Sequence, residues 1–350
     1  MKVLFVNFIN EVWGHKRLDE NLIKFLSTFS DVTVISPVNW YSNLPENIRV
    51  IHYTLKSKPK KNSKKVYHYS FEIMKLASKI DRKEKFDYIF VATFHTYVQA
   101  FGRLLFKNLN RIYIMHHYNT DTLERKKPNF FFRLYVNKFN HIVFEEFIRD
   151  YLIKKYRLIK DRILVLPHPL YKNSIENKSP KYECVGISNS NDENFIKEII
   201  LIEKKNKVLK ENKIHVILRS KNQTFDNGYL KVITGYLEQR DYNYLINNTR
   251  SIFMPFPQSF KYRMSGTLID ALSNGKILLG TDVPLLNLYK KRYPHICNVV
   301  KSPDEFINEV IKISNFDFDN IKQEFSLFEN DHSTERIIQI LKSTFIEHNK

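Results

Sequence analysis

The stretch KYRMSGTLIDALSNGKILLGTD, residues 261–282, combines a cation, Arg263, three small residues, Ser265, Gly266 and Thr267, and one acid, Asp270. Two readings account for the grouping. In the first it is helix capping: Thr267-x-x-Asp270 has the form of a capping box, with Asp where Glu or Gln is usual. Leu268, Ala271 and Leu272 then share a buried face, and Gly275 stops the helix. In the second it is an anion site. A cation near a helix N-terminus is unfavourable by about 0.3–1 kcal/mol. Arg263 is better placed if an anion lies between it and the amides of Gly266 and Thr267, and a phosphate fits that description. Further polar residues follow apolar runs elsewhere: His95 after DYIFVATF, the tandem His116-His117 after RIYIM, and Arg219 at the end of IHVILRS.

The elements that must position these residues alternate between apolar and amphipathic runs, the pattern of an α/β chain. Strands are expected at 2–8, 32–37, 87–94, 111–115, 141–144 and 162–167. Helices are expected at 18–29 and 69–80. The second half repeats the rhythm, with strands at 184–188, 214–220, 232–237, 251–257 and 276–282 and a helix at 195–209. The polar segment YKNSIENKSPKYE (171–183) reads as a linker. The expected organisation is a first Rossmann-like domain over 1–172, a second over 173–330, and a C-terminal helix in 331–350 that packs back on the first. In open α/β sheets ligands bind beyond the carboxyl ends of the strands, and two such domains facing each other create a cleft.

Composition narrows the function classes. A chain of 350 residues with 43% hydrophobic content suits two globular domains. Cys184 and Cys297 make no metal spacing, which points to a reducing compartment. The first residues, MKVLFVNFINEVW, read as a buried strand rather than a signal peptide, and no apolar run reaches the ~18–20 residues that span a bilayer. A cytoplasmic protein, soluble or peripheral on the inner face of a membrane, is expected. The net charge of +19 is unevenly placed. Residues 1–175 hold 31 Lys and Arg against 15 Asp and Glu, whereas residues 176–350 hold 25 against 22. The basic first half calls for an anionic partner or is a solvated lysine-rich surface. Nucleic acid is not expected: there is no zinc spacing, no RNP-like aromatic pair and no helix-turn-helix pattern.

The segment MPFPQSFKYRMSGTLIDALSNGKILLGTDVPL (254–285) resembles the nucleotide-sugar site of GT-B glycosyltransferases, the retaining family-four group, and is most similar to a branch of bacterial polysaccharide transferases with a Tyr-Arg-x-Ser-Gly form. The resemblance implies two Rossmann-like domains facing across a cleft. It implies that Ser265, Gly266 and Thr267 hold the donor pyrophosphate, that Asp270 holds the ribose, and that Arg263 adds a phosphate contact. Tyr262 stands eight positions before Asp270, where the family has its first acid. A tyrosine cannot supply a carboxylate, so donor choice and retention are left open there. VITGYLEQRDYNYLINNT (232–249) resembles the segment whose turn faces the nucleotide base, here Gly235, Tyr236 and Leu237. CVGISNSNDENF (184–195) lies where the family has a glycine loop followed by two cations. Gly186 is kept, the cations are not, and Arg219 is their substitute or a solvated strand-end arginine.

In the first half, RIYIMHHYNT (111–120) resembles the family's strand-end histidine motif, with His116 the closer match by spacing and His117 its rival. Both are the expected catalytic residues. NFINEVWGHKRLDENL (7–22) lies where the family has its acceptor loop, which implies acceptor contacts from Trp13, Gly14 and His15. His168 in RILVLPHPL is expected to be structural. The implied reaction moves a sugar from a nucleotide-diphosphate sugar to a saccharide or lipid-linked acceptor, without a cofactor or metal. KPNFFFRLYVNKF (127–139) interleaves aromatics and cations. With the basic loop 56–65 it either rests on anionic lipid or is an internal helix with its Phe residues in the core. A nucleotide-sugar epimerase and a non-catalytic glycosyltransferase-like subunit are the alternatives.

Overall fold

The computed structural model describes residues 1–8, 15–38, 40–53, 64–172 and 180–346. The chain is α/β and divides into two compact units. The first takes in residues 1–169, 262–264 and 333–350; the second takes in 170–261 and 265–332.

The first unit is built on a seven-stranded parallel sheet. Its strands are β1 (Lys2–Asn7), β2 (Asp31–Pro37), β3 (Arg49–Tyr53), β4 (Tyr88–Thr93), β5 (Ile112–Met115), β6 (Asn140–Val143) and β7 (Ile163–Val165), in the order β3-β2-β1-β4-β5-β6-β7. Central strands in such a sheet are covered on both faces and read as unbroken apolar runs. Val3 to Val6 have no exposed surface at all. Strand order reverses between β1 and β4, where Val3 lies opposite Tyr88 and Val6 opposite Val91. The edge strand β3 escaped the sequence reading because Arg49 and His52 break its apolar run and its residues are at most half-buried.

A helix from a distant part of the chain completes this unit. Thr334–Phe345 packs on the helix Lys16–Ser27. Its Phe345 is 1% exposed and meets Tyr88, Phe90 and Tyr113 at ring distances of 4.8–5.1 Å.

The second unit has its own seven-stranded sheet: β8 (Tyr182–Gly186), β9 (Val216–Arg219), β10 (Phe225–Asp226), β11 (Leu230–Ile233), β12 (Thr249–Met254), β13 (Ile277–Thr281) and β14 (Cys297–Val300), in the order β10-β11-β9-β8-β12-β13-β14. Every pairing is parallel except that of the two-residue β10 with β11. Order reverses between β8 and β12, and the loops beyond their carboxyl ends are tied together by Asp192 N–H donating to Pro255 O at 2.5 Å. Gly186 and Gly280 sit where neighbours approach closely: a Cβ at Gly280 would lie 2.0 Å from Leu286 Cδ1. Of the expected linker, 173–179 lies outside the described residues, as does 56–63 of the basic loop.

Candidate functional site

In the second unit a cavity of about 240 Å³ opens beyond the carboxyl ends of β8, β9 and β11, lined by Ser188, Asn189, Asn191, Glu193, Arg219, Ser220, Lys221 and Gly235. Its walls follow from local chain chemistry. Asp192 caps the helix Glu193–Asn206 by accepting from Asn194 N and Phe195 N, which fixes the loop after β8. Glu193 accepts from Ser220 Oγ and from Lys221 N, the latter at 3.1 Å, and pins the loop after β9 to that helix start. Arg219 donates from Nε to Gly235 O at 2.8 Å. Gly235 has a φ of +92°, a conformation that favours glycine. Burial lowers the pKa of the Arg219 guanidinium.

One buried atom in this wall lacks a partner. Asn191 is 7% exposed and donates from Nδ2 to Arg219 O, while its Oδ1 has no hydrogen-bond partner in the structure. A buried acceptor left open in a polar cavity is unusual, and its cost is removed when a ligand donor reaches it. Beside the cavity Tyr236 is 76% exposed and Leu237 is half-buried. The cavity thus takes in Arg219 and Gly235 of the sequence candidates, and its lining does not include residues 262–270.

The opening stretch folds differently from the capping box expected of it. The helix runs Gly266–Ser273 and its N-cap is Ser265, whose hydroxyl accepts from Leu268 N at 3.4 Å. The reason is conformational: Ser265 is the last extended residue, at φ −120° and ψ 122°, so the first hydroxyl takes the cap and Thr267 falls inside the first turn. Asp270 lies mid-helix, 8% exposed, and accepts from Tyr242 Oη at 2.9 Å. Tyr242 belongs to the helix Gln239–Asn247, which follows Gly235–Leu237, so Asp270 and the segment after β11 are linked through one phenol.

Residues Tyr262–Met264 belong to the first unit. Arg263, which the sequence leaves without an explanation other than an anion, pairs through Nε with Asp121 Oδ2 at 2.9 Å. The other oxygen of Asp121 accepts from Tyr262 N at 2.5 Å, and Thr120 Oγ1 donates to Tyr262 O. The Tyr262 ring stacks on Tyr151 with centroids 3.7 Å apart. Tyr151 donates to Glu124 at 2.7 Å, and Lys155 reaches the same carboxylate. So Tyr262 itself carries no acid, but the carboxylate of Asp121 stands at its amide. Asp121 is not among the residues that stand out in the sequence. Its signal was modest: an acid five residues after His116, in a run of turn-forming residues.

In the same unit the histidines gather at the carboxyl edge of the sheet. His116 is 1% exposed, with Nε2 2.8 Å from His141 Nδ1 and Nδ1 2.8 Å from the Asn119 amide. Both of its ring nitrogens are therefore engaged inside the fold. His117 donates from Nε2 to Ala92 O at 2.9 Å and lies against the His15 ring, centroids 3.8 Å apart, and against Phe144. Burial holds His117 and His141 down at about 4 and His15 and His116 well below the usual histidine range, so the cluster is neutral at pH 7. Trp13 and Gly14 lie outside the described residues. His95 turns its ring edge to Tyr67, and His168 bonds Pro169 O.

A buried acid close to this edge was also missed. Asp19 Oδ2 accepts from Asn7 Nδ2 and from Tyr41 Oη, both at 3.0 Å, and Asn7 is bonded in turn by Thr93. Burial pushes Asp19 up to about 7. Its signal was an acid one residue from the apolar face of Leu18, Leu22 and Leu26. Among the described residues no group of three His, Cys, Asp or Glu side chains could hold a metal ion.

Neither a protein-family model nor a curated protein sequence matches the chain. Solved structures do. A glycosyltransferase from Rickettsia africae superposes with a TM-score of 0.64 over 100% of this chain and 98% of its own, at 12% identity. WaaG, a glycosyltransferase involved in lipopolysaccharide biosynthesis, gives 0.62 over 98% and 99%, also at 12% identity. UDP-N-acetylglucosamine 2-epimerase from Rickettsia bellii gives 0.58 over 100% and 98%, at 14% identity. The chain has the fold of the GT-B glycosyltransferases. At these identities the likeness establishes fold, and the chemistry has to come from the site.

Proposed function

We propose that this protein is a glycosyltransferase that moves a sugar from a nucleoside-diphosphate sugar to a saccharide or lipid-linked acceptor in surface polysaccharide or glycoconjugate synthesis, with retention at the anomeric carbon. The observation that carries the reading is the polar cavity of the second unit. It sits at the carboxyl ends of parallel strands, where doubly wound sheets bind nucleotides. It offers two cations, Arg219 and Lys221, the hydroxyls of Ser188 and Ser220, and the open acceptor of Asn191.

The difficult step is departure of the nucleoside diphosphate, whose charge grows as the glycosidic bond breaks. Fixed donors aimed at that charge lower the barrier. Arg219 and Lys221 are assigned to it, with the amides of Gly266 and Thr267 and the Ser265 hydroxyl at the helix start. Arg263 is assigned a further phosphate contact, exchanged for its Asp121 partner. Asp270 and the Gly235–Leu237 segment are assigned to the nucleoside. In the first unit His117 is assigned to the sugar, and His116, bonded on both sides, to holding that edge in place. His15, Trp13 and Gly14 are assigned to the acceptor. The charge is met by protein groups alone in this reading, with no metal or cofactor and from the cytoplasmic side.

Titration calorimetry with UDP-, GDP- and TDP-sugars tests the proposal. One of the three binds the wild type, and Arg219→Ala weakens it at least tenfold, the loss expected for a charge-assisted contact of about 1.5–3 kcal/mol. Binding of none, or equal affinity in the variant, refutes it. The fold is shared with an epimerase, so the bound sugar is also incubated without acceptor. A new epimer would establish the epimerase reading; slow hydrolysis supports transfer. The anomeric configuration of an isolated product decides retention.

A further inference from the structure

The first unit exposes a strip of apolar side chains that the transferase reading does not use. The helices Thr96–Gly102 and Lys126–Arg133 pack on each other. Their outer surface is joined through ring contacts. Phe131 is the hub: its ring lies 5.0 Å from Tyr97, 5.8 Å from Phe101 and 5.4 Å from Phe130. Tyr67 extends the strip from the neighbouring helix, 6.1 Å from Tyr97. Phe132 is fully buried in the core and Phe131 is half-buried against it, so of the three consecutive phenylalanines only Phe130 lacks the internal role the sequence allowed for all of them. Phe130 is 60% exposed, Phe101 58% and Leu104, on the next turn, 77%. Isolated exposed apolar residues are ordinary on a soluble surface; a connected strip of them is not.

The setting of the strip is cationic. Residues 96–108 hold Arg103 and Lys107 and no acid; residues 125–139 hold Arg125, Lys126, Lys127, Arg133 and Lys138 and no acid. Lys126, Lys127 and Arg133 stand four before, three before and three after Phe130. Helical spacing puts them on its exposed side. The nearest acid in sequence, Glu124, is already engaged by Lys155 and Tyr151.

We infer that this face docks on an anionic lipid surface, with Phe101, Leu104 and Phe130 entering the headgroup boundary and the lysines around Phe130 meeting lipid phosphates. Apolar side chains ringed by cations on one helix face are what interfacial segments require. Aromatic rings among cations also suit single-stranded nucleic acid, where bases stack on ring faces. Two features favour lipid. Leu104, the most exposed member, has no π face, and the Phe101 and Phe130 rings turn toward Phe131. The inference does not depend on the chain being a transferase, since binding is measured without a donor.

The test is co-sedimentation of the full chain with vesicles of phosphatidylcholine alone and of phosphatidylcholine mixed with phosphatidylglycerol, at low and high salt. Binding is expected only to the mixed vesicles, and salt should release it. Lys126→Gln with Lys127→Gln lowers partitioning about fivefold per charge. The triple change Phe101→Ser, Leu104→Ser, Phe130→Ser lowers it at least tenfold with every cation kept. Should the triple variant misfold by circular dichroism, Phe130→Ser alone must show the same direction. No binding to mixed vesicles at low salt overturns the inference. So does binding indifferent to the apolar changes, or a single-stranded oligonucleotide held by these residues while vesicles are not.

Discussion

Acidification should unfold the first unit well before carboxylate protonation alone would, because its histidines are buried neutral. His95, His117 and His141 are held at about 4, against 6.5 for a free histidine. Between those values the unfolded chain binds the proton and the folded chain does not. Stability is therefore fully present above about pH 6.5 and is lost as pH falls toward 4. At about pH 5 each histidine costs about 2 kcal/mol relative to pH 7.5, about 6 kcal/mol for the three. His15 and His116 are shifted in the same direction and add to it. One group opposes. Asp19 is raised from 3.8 to about 7, so its folded form takes up a proton first on acidification and returns about 2.5 kcal/mol by pH 5. The net loss is about 3–4 kcal/mol, a large part of a typical folding stability of about 5–15 kcal/mol. Both tryptophans, Trp13 and Trp40, lie in the first unit's stretch of sequence, so their fluorescence follows that unit alone in urea. With a urea slope of about 2 kcal/mol per molar, the midpoint should fall by about 1.5–2 M from pH 7.5 to 5. Asp19→Asn removes the opposing group, and the fall should deepen to about 3 M. A midpoint that stays put or rises on acidification refutes the reasoning. A fall of the same size in Asp19→Asn refutes the part assigned to Asp19.

Three further outcomes can be checked directly. Gly280→Ala places a Cβ 2.0 Å from Leu286 Cδ1 and 3.2 Å from Met254 O, and should lower thermal stability by about 1–3 kcal/mol without touching the cavity. Gly235→Ala meets no atom within 4 Å but must hold a φ of +92°; calorimetry should show weaker nucleotide binding while the melting temperature falls by no more than about 1–2 kcal/mol would produce. Cys184 and Cys297 are buried, with burial pushing the Cys184 thiol up to about 12, so neither should react with a thiol reagent until urea unfolds the chain.

The strands were legible because both faces of each central strand are covered. β1, β4 and β5 announce themselves as apolar runs, and the ends of β5 and β12 place His116, His117 and the loop before Ser265. The edge strands β3 and β14 were not legible, since the exposed Arg49 and His52 in β3 and the half-buried Asn298 in β14 interrupt short runs, whereas the edge strand β7 keeps its apolar run and was read. The N-cap was misplaced because three small residues in a row could each have capped the helix, and only the backbone at Ser265 decides among them. Arg263 illustrates a deeper limit. Its partner Asp121 lies 142 positions earlier, and nothing local to either residue signals the pairing. The cavity was half visible. Arg219 and Gly235 could be picked out by strand end and turn, but Asn191 and Glu193 matter through contacts with the loop after β9 that sequence spacing does not encode.

The helix Thr334–Phe345 seats Phe345 among rings of the first sheet, and that has a consequence for how the molecule comes into being. A ribosome delivers residues 1–169 first, and those are most of the first unit. The rings of Tyr88, Phe90 and Tyr113 then wait for their cover, Phe345, until about 175 further residues have been made. At 5–20 residues per second this is roughly 9–35 s. During that interval the nascent unit presents aromatic surface to whatever binds unfinished chains, while the second unit, nearly continuous in sequence, completes itself. The unit that begins first is the one that finishes last.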